Sequence, residues 1–185
     1  MVAKKPQLMA VTESMIDLAD ELVAFADDIG EQQDHLLDPD LLRRDIHGYL
    51  RLLDDWSRGI GLPEGWVPAS QYCYVEDKLK VIGFSSLRHF LTPSLEDLGG
   101  HISYVVRPQY RRQGHGTQLL TLTLSKAKEL GLDRVLLTTD THNIGSRKTI
   151  ELNGGTLNRE YLSVTTGTMK ARYSIDLTAA NEKKL

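Results

Sequence analysis

Apolar residues recur along this chain with two different periods, and the switches between them mark its elements. Leu8, Met9, Ala10 and Val11 form a short apolar run that predicts a first strand, with Thr12 or Ser14 as the cap of the helix that follows. Met15, Leu18, Leu22, Ala26 and Ile29 then fall on one helical face, and Leu42, Ile46, Tyr49, Leu53 and Trp56 keep the same period, which predicts a second helix over residues 40–57. Residues 59–70 hold three glycines and two prolines and read as a lid-like loop, not a domain linker. Alternation of period two follows. Residues 71–76 and 79–87 predict a hairpin turning at Asp77-Lys78, and residues 100–106 a further strand ended by Arg107-Pro108. Leu119, Leu120, Leu124, Ala127 and Leu130 return to the helical period until Gly131 stops it, which places the helix start at or near Gly114. Residues 132–138 form a short apolar run suited to a buried strand of the kind parallel sheets use, and Met169, Ala171, Tyr173, Ile175 and Leu177 alternate as a final strand. Residues 179–185 are expected to fray.

The length of 185 residues suits one α/β domain, residues 1–185, with no internal repeat. A formal charge of −3 argues against a general nucleic-acid surface, although Arg107, Arg111 and Arg112 make a local basic patch. The lone Cys73 cannot close an internal disulfide, residues 1–6 lack the apolar core of a signal peptide, and no apolar run is long enough to span a membrane. A cytoplasmic protein without membrane or nucleic-acid partners is the expectation. His35, His47, His89 and His142 show no metal-ligand spacing, so no metal is expected.

The most telling segment is Arg111-Arg112-Gln113-Gly114-His115-Gly116, set between the strand at 100–106 and the long helix. Glycines admit a ligand close to the backbone, free amides at the helix start face the same place, and two arginines add charge. Three phosphate-gripping designs use such loops. The mononucleotide loop needs Lys-Ser or Lys-Thr after its glycines, which is absent; the dinucleotide fingerprint needs a third small residue where Leu119 stands, which disfavours an NAD(P)-dependent oxidoreductase. The remaining pattern, an Arg or Gln, two residues, Gly, one residue and a small residue after a strand ending Val-x-Pro, matches Val106-Arg107-Pro108 and Arg111-x-x-Gly114-x-Gly116. On these residues the chain resembles the GCN5-related N-acetyltransferase (GNAT) superfamily. A second signature agrees: Asn143 after a strand, Ser146 three positions on, a short helix and the Gly154-Gly155 turn. Residues 61–68 and 99–104 look like a bacterial branch of predicted acetyltransferases, so the resemblance covers residues 60–177.

The resemblance implies a GNAT fold with a mixed central sheet of about six or seven strands flanked by about four helices and splayed at the cofactor site. It implies acetyl-CoA as co-substrate and transfer of its acetyl group to a primary amine of a small molecule or peptide, by direct attack in a ternary complex. Backbone groups of Tyr104, Val105 and Val106 would pair with the pantetheine arm. Arg111, Arg112, Gln113, Gly114, His115, Gly116 and Thr117 would surround the phosphates, His115 as a loop residue touching them, and Asn143 and Ser146 would lie near the far arm or thioester. Asn143 serves equally as a helix cap, and the two roles are compatible. An N–H near Val106 would support the developing oxyanion.

Where many family members carry a glutamate, this chain has His101, the first candidate for the base, with an ordinary pKa of about 6.5; a packed strand histidine is the alternative. The tyrosine that many members place seven positions after the Asn is Ile150 here, so no essential tyrosine acid is expected. Tyr104, Tyr161 and Tyr173 stand as substitutes or as sheet residues. Glu96, Asp97, Trp56 and Trp66 would border the acceptor and attract a cationic amine, or else be solvated acids and packing tryptophans. The class that competes with the enzyme is a non-catalytic acyl-CoA-binding regulatory module. A homodimer is common in the superfamily, and no residue here specifies an interface.

Overall fold

A computed structural model describes residues 5–30, 37–77 and 79–178. Lys78 of the expected hairpin turn and the tail 179–185 lie outside the described residues. The chain runs β1 (Gln7–Ala10), a 3-10 turn (Glu13–Leu18), α1 (Ala19–Ile29), α2 (Pro39–Arg44), α3 (Ile46–Ser57), β2 (Ala69–Glu76), β3 (Lys80–Arg88), α4 (Pro93–Leu98), β4 (Ile102–Val106), a 3-10 turn (Pro108–Tyr110), α5 (His115–Glu129), β5 (Arg134–Asp140), α6 (Ile144–Leu152), β6 (Thr156–Leu162) and β7 (Met169–Asp176). Among the described residues, seven strands fall in two sheets, ordered β1-β2-β3-β4 and β5-β7-β6.

Several elements differ from the sequence reading, each for a local reason. The expected helix over 40–57 is two helices. Asp45 leaves the helical region (φ −153°) and accepts a hydrogen bond from the Gly48 amide at 2.9 Å, so it caps α3, just as Asp38 caps α2 from the Leu41 amide at 2.8 Å. The apolar period runs unbroken across Asp45 and hides the break. α4 lies between β3 and β4, in a stretch to which the apolar pattern assigns no element, with Thr92 as its cap and Pro93 in its first turn. Thr12 takes the N-cap position of the 3-10 turn, its carbonyl accepting from the Met15 amide at 3.0 Å, but makes no side-chain capping bond; its hydroxyl bonds that of Ser14 at 2.7 Å instead. The strand expected to suit a parallel sheet, β5, takes its ladder from β7, and that ladder is antiparallel.

The four-stranded sheet is covered on both faces. Cys73, Phe84 and Val105 are register partners and pack with Leu22 and Phe25 of α1 and Leu50 and Leu53 of α3. Phe25 and Phe84 are fully buried with ring centroids 6.4 Å apart, and each such side chain contributes about 1.5–3 kcal/mol relative to exposure. Tyr72, Leu87 and Ile102 face the other way, onto Leu120 and Leu124 of α5.

Arg107, just beyond β4, is 3% exposed; it donates to Val81 O at 3.1 Å and pairs with Glu21 and Asp28 of α1. It is therefore not part of a basic surface patch, and it holds α1 to the end of β4. No helix among the described residues is long and apolar enough to cross a membrane.

Candidate functional site

The two sheets meet at one point and then part. His101 N–H donates to Leu136 O at 2.7 Å, and Gly100 bridges Leu137. Gly100 has φ +74°, and a Cβ there would lie 2.2 Å from Leu136 O, so only glycine lets the strands touch. Beyond this junction β4 and β5 share no ladder.

The inner edge of β4 is consequently open, and the ladder's parity shows which groups it presents. Arg107 N–H donates to Ile82 O at 3.0 Å, with Gly83 opposite Val106 and Ser85 opposite Tyr104. Antiparallel pairs alternate, so Ser103, Val105 and Arg107 exchange bonds with β3, while Tyr104 and Val106 turn their amide and carbonyl into the gap. Val105 accordingly offers no backbone group there, contrary to the expectation for all three residues. From the far side, Thr138 and Asp140 face the same gap, because Thr141 N–H is committed to Met169 O at 2.9 Å.

At the mouth of the gap α5 begins. Gly114 sits in the left-handed region (φ +85°) as the N-cap, without a capping side chain. The first helical bond runs from Gln118 N–H to Gly114 O at 3.1 Å, which leaves the amides of His115, Gly116 and Thr117 without helical partners. These amides carry the positive end of a 15-residue helix. Arg111 donates from Nε to Val106 O at 2.9 Å, and both Arg111 and Arg112 are exposed and without an ion pair among the described residues.

A cleft of 430 Å³ collects ten of the twelve residues expected to hold the cofactor: Tyr104, Val105, Val106, Arg111, Arg112, Gly114, Gly116, Thr117, Asn143 and Ser146. Gln113 and His115 stay outside it. The Gln113 side chain folds back onto Gln109 O at 2.9 Å. The His115 ring lies edge-on to Tyr74 and Tyr110, each centroid 5.9 Å away, with Nδ1 buried, so its amide faces the helix start while its ring does not. Sequence reasoning missed Gly145, Lys148, Thr149 and Leu152, which complete the lining. Their helical spacing after Asn143 was the available signal.

Asn143 caps α6, its Oδ1 accepting from the Ser146 amide at 3.0 Å, and it also lines the cleft. The Tyr104 hydroxyl lies 3.0 Å from Ser146 Oγ. Burial raises the Tyr104 pKa, against the lowering effect of hydrogen bonds to Ser146 and Thr149, so its proton is retained at neutral pH. The other two tyrosines are elsewhere: Tyr161 donates to Asp97 O, and the Tyr173 hydroxyl sits between Arg147 (2.9 Å) and Glu151 (3.0 Å). Ile150 is buried in the core.

His101 is not placed as a base. It is buried, and its Nδ1 accepts from the Leu136 amide at 3.0 Å, which fixes the neutral ring with its proton on Nε2 and leaves no free lone pair. Burial lowers its pKa, as do the charges of Arg88 and Arg134, against Glu96. The ring's bond from the Leu136 amide and the backbone bond to Leu136 O together tie the two sheets. Glu96 and Asp97 pair with Arg172 and Arg159 and do not wait for a cationic amine. Among the described residues no group of three or more His, Cys, Asp or Glu side chains is placed to hold a metal ion.

An α/β fold whose sheet opens beside a glycine-capped helix start is the architecture of acetyltransferases, and the comparisons agree. Residues 31–154 match the acetyltransferase (GNAT) family model, so the chain belongs to the GNAT acetyltransferase family. No curated protein matches it by sequence. Similar solved structures include the ribosomal-protein-S5-alanine acetyltransferase of Vibrio fischeri, at 15% identity and TM-score 0.64 over 95% of each chain. The ribosomal L7/L12 α-N-protein acetyltransferase RimL, in complex with coenzyme A, gives 16% identity and TM-score 0.62 over 95% of this chain and 96% of that one. The microcin C7 self-immunity acetyltransferase MccE, with acetyl-CoA and AMP, gives 14% identity and TM-score 0.63 over 92% and 93%.

Proposed function

We propose that the protein transfers the acetyl group of acetyl-CoA to a primary amine of a small molecule or peptide, by direct attack in a ternary complex. The observation that carries this reading is the open inner edge of β4 beside the unpartnered first-turn amides of α5. The residues present suit the ligand. Arg111, Arg112 and Lys148 line the cleft with positive charge, the amides of His115, Gly116 and Thr117 point at the place an anion would take, and Tyr104 offers its amide and carbonyl and Val106 its amide to an amide-bearing arm, Val106 O being held by Arg111 Nε. Solved neighbours in complex with coenzyme A and acetyl-CoA support the same choice.

Bound acetyl-CoA supplies a reactive thioester; the chain supplies position and charge. Val106 N–H, turned into the gap, donates to the carbonyl oxygen as negative charge grows there. Holding amine and thioester in line removes much of the entropic barrier. Direct attack is supported by the position of Cys73, which lies fully buried among the α1 and α3 contacts with its thiol pKa pushed up by burial and so does not serve as an acyl-carrying nucleophile. Tyr104, the tyrosine that lines the cleft, keeps its proton and can hand it to the departing sulfur. The amine's proton passes to water, since His101 has no lone pair to take it.

Titration with acetyl-CoA beside desulfo-CoA, NADH and ATP, followed by free-thiol detection with a panel of amines, tests the reading. Saturable binding of the two CoA species with amine-dependent thiol release supports it. Binding without release would replace it by a regulatory acyl-CoA-binding module, and preference for NADH or ATP would remove it.

A further inference from the structure

A second cavity, of 480 Å³, lies on the face of the four-stranded sheet opposite α5. Its floor is set by register. Ala69 pairs with Arg88 and Gln71 with Ser86; across the next ladder Ser86 pairs with Ser103, and Arg88 N–H donates to His101 O. These two transverse rows share the face of Cys73, Phe84 and Val105, and both end on β4, whose inner edge lines the cofactor cleft. The roof is apolar: Tyr49, Leu53 and Trp56 of α3, with Trp66 of the loop between α3 and β2 set against Trp56 at a ring-centroid distance of 5.1 Å.

Three lining groups lack the partners their chemistry requires. Trp56 Nε1 and Gln71 Oε1 are buried and unpartnered among the described residues, one a donor and one an acceptor. Arg88 donates from Nη1 to Gly100 O at 2.9 Å, yet it forms no ion pair among the described residues, and burial lowers its pKa. A partly buried guanidinium without a carboxylate favours an anionic ligand. Asp38, also in the lining, is exposed and accepts from the Leu41 amide, and the nearby Glu96 and Asp97 pair with Arg172 and Arg159, so the charge on the sheet floor is that of Arg88 and a polyamine is disfavoured.

We propose that this cavity receives the acyl acceptor, and that the acceptor is an amino carboxylate with an apolar or aromatic side group: its carboxylate on Arg88, its side group under Trp56 and Trp66, and its amine along the Gln71–Ser86–Ser103 row toward the gap. The proposal rests on the acetyl-transfer reading. In the transfer, the amine nitrogen bonds the acetyl carbon, the carbon–sulfur bond breaks, and the amine's lost proton balances the one taken up by the coenzyme A thiolate.

The chain's two tryptophans both line this cavity, so intrinsic fluorescence reports its occupancy without turnover. Acetyl-CoA titration comes first and tests the cofactor reading separately. Phenylalanine, phenylalaninamide, phenethylamine and spermidine are then compared as acceptors, and N-acetylphenylalanine is titrated by fluorescence. The expected result is a saturable fluorescence change and a kcat/KM for phenylalanine about 10–100-fold above that for phenylalaninamide, a ratio that Arg88→Gln abolishes by slowing phenylalanine alone. Equal turnover of the acid and the amide, spermidine as the best acceptor, or fluorescence unmoved by millimolar N-acetylphenylalanine each overturns the proposal. If Arg88→Gln fails to fold, the wild-type acceptor ratio and the fluorescence titration decide.

Discussion

The two cavities on either side of β4 are built from different materials. The cleft at the start of α5 is made mostly of backbone: helix amides with no helical partner and a strand edge turned outward, with exposed arginines around them. The cavity under α3 is made of side chains from distant segments, Trp56, Gln71, Arg88 and Leu95 among them. A backbone site demands glycine and a helix start, which a short motif can encode; a side-chain site demands only that residues converge, and convergence leaves no motif. On the proposed reading, the first cavity suits a ligand common to the family and the second a ligand particular to this chain.

The arginines near the loop sharpen the comparison most. Arg107→Met should lower unfolding free energy by about 2 kcal/mol, because Val81 O loses its side-chain donor and Asp28 and Glu21 lose their buried partner, Lys80 alone remaining as a cation beside Glu21, and a chemical denaturation curve reads this directly. Arg111→Ala and Arg112→Ala together should leave the denaturation midpoint in place and weaken acetyl-CoA about 10–100-fold in a titration, with the gap narrowing as salt rises. If Arg107→Met instead weakens acetyl-CoA without loss of stability, the division between structural and ligand-facing charge is wrong.

Tyr104→Phe comes next, with an expected drop of about tenfold in kcat and little change in acetyl-CoA affinity. Unchanged kcat would return the thiolate to leaving unaided. The smallest effect is on pH. The folded-state pKa values of His101 and His89 lie below their unfolded values, chiefly through burial, so the folded state resists protonation. Their contribution is complete above an unfolded pKa of about 6.5 and is lost as pH falls through the folded values. Melting temperature should therefore decline from pH 7 to pH 5, less steeply in His101→Gln. A flat profile would mean that the ring does not hold Leu136 as a neutral acceptor.

Much of the cleft at the start of α5 was legible in the sequence, since Gly114, Gly116 and Asn143 act through local backbone geometry that spacing reports. His101 misled because sequence places it on the right strand but not in a hydrogen bond to Leu136, an amide 35 residues away. Arg107 misled in the same way: its neighbours in sequence are basic, its neighbours in space are Glu21 and Asp28. The break at Asp45 and the short α4 were hidden by an apolar period that continued and by a helix of only six residues.

The most direct test of the central claim is an amide NMR titration with coenzyme A. Stoichiometric shifts at Gly114, His115, Gly116, Thr117, Tyr104 and Val106, with the Trp56 and Trp66 indoles unmoved, are the predicted result. Shifts gathered around Trp56 and Arg88, or no shift at the start of α5, would contradict a backbone-built cofactor site.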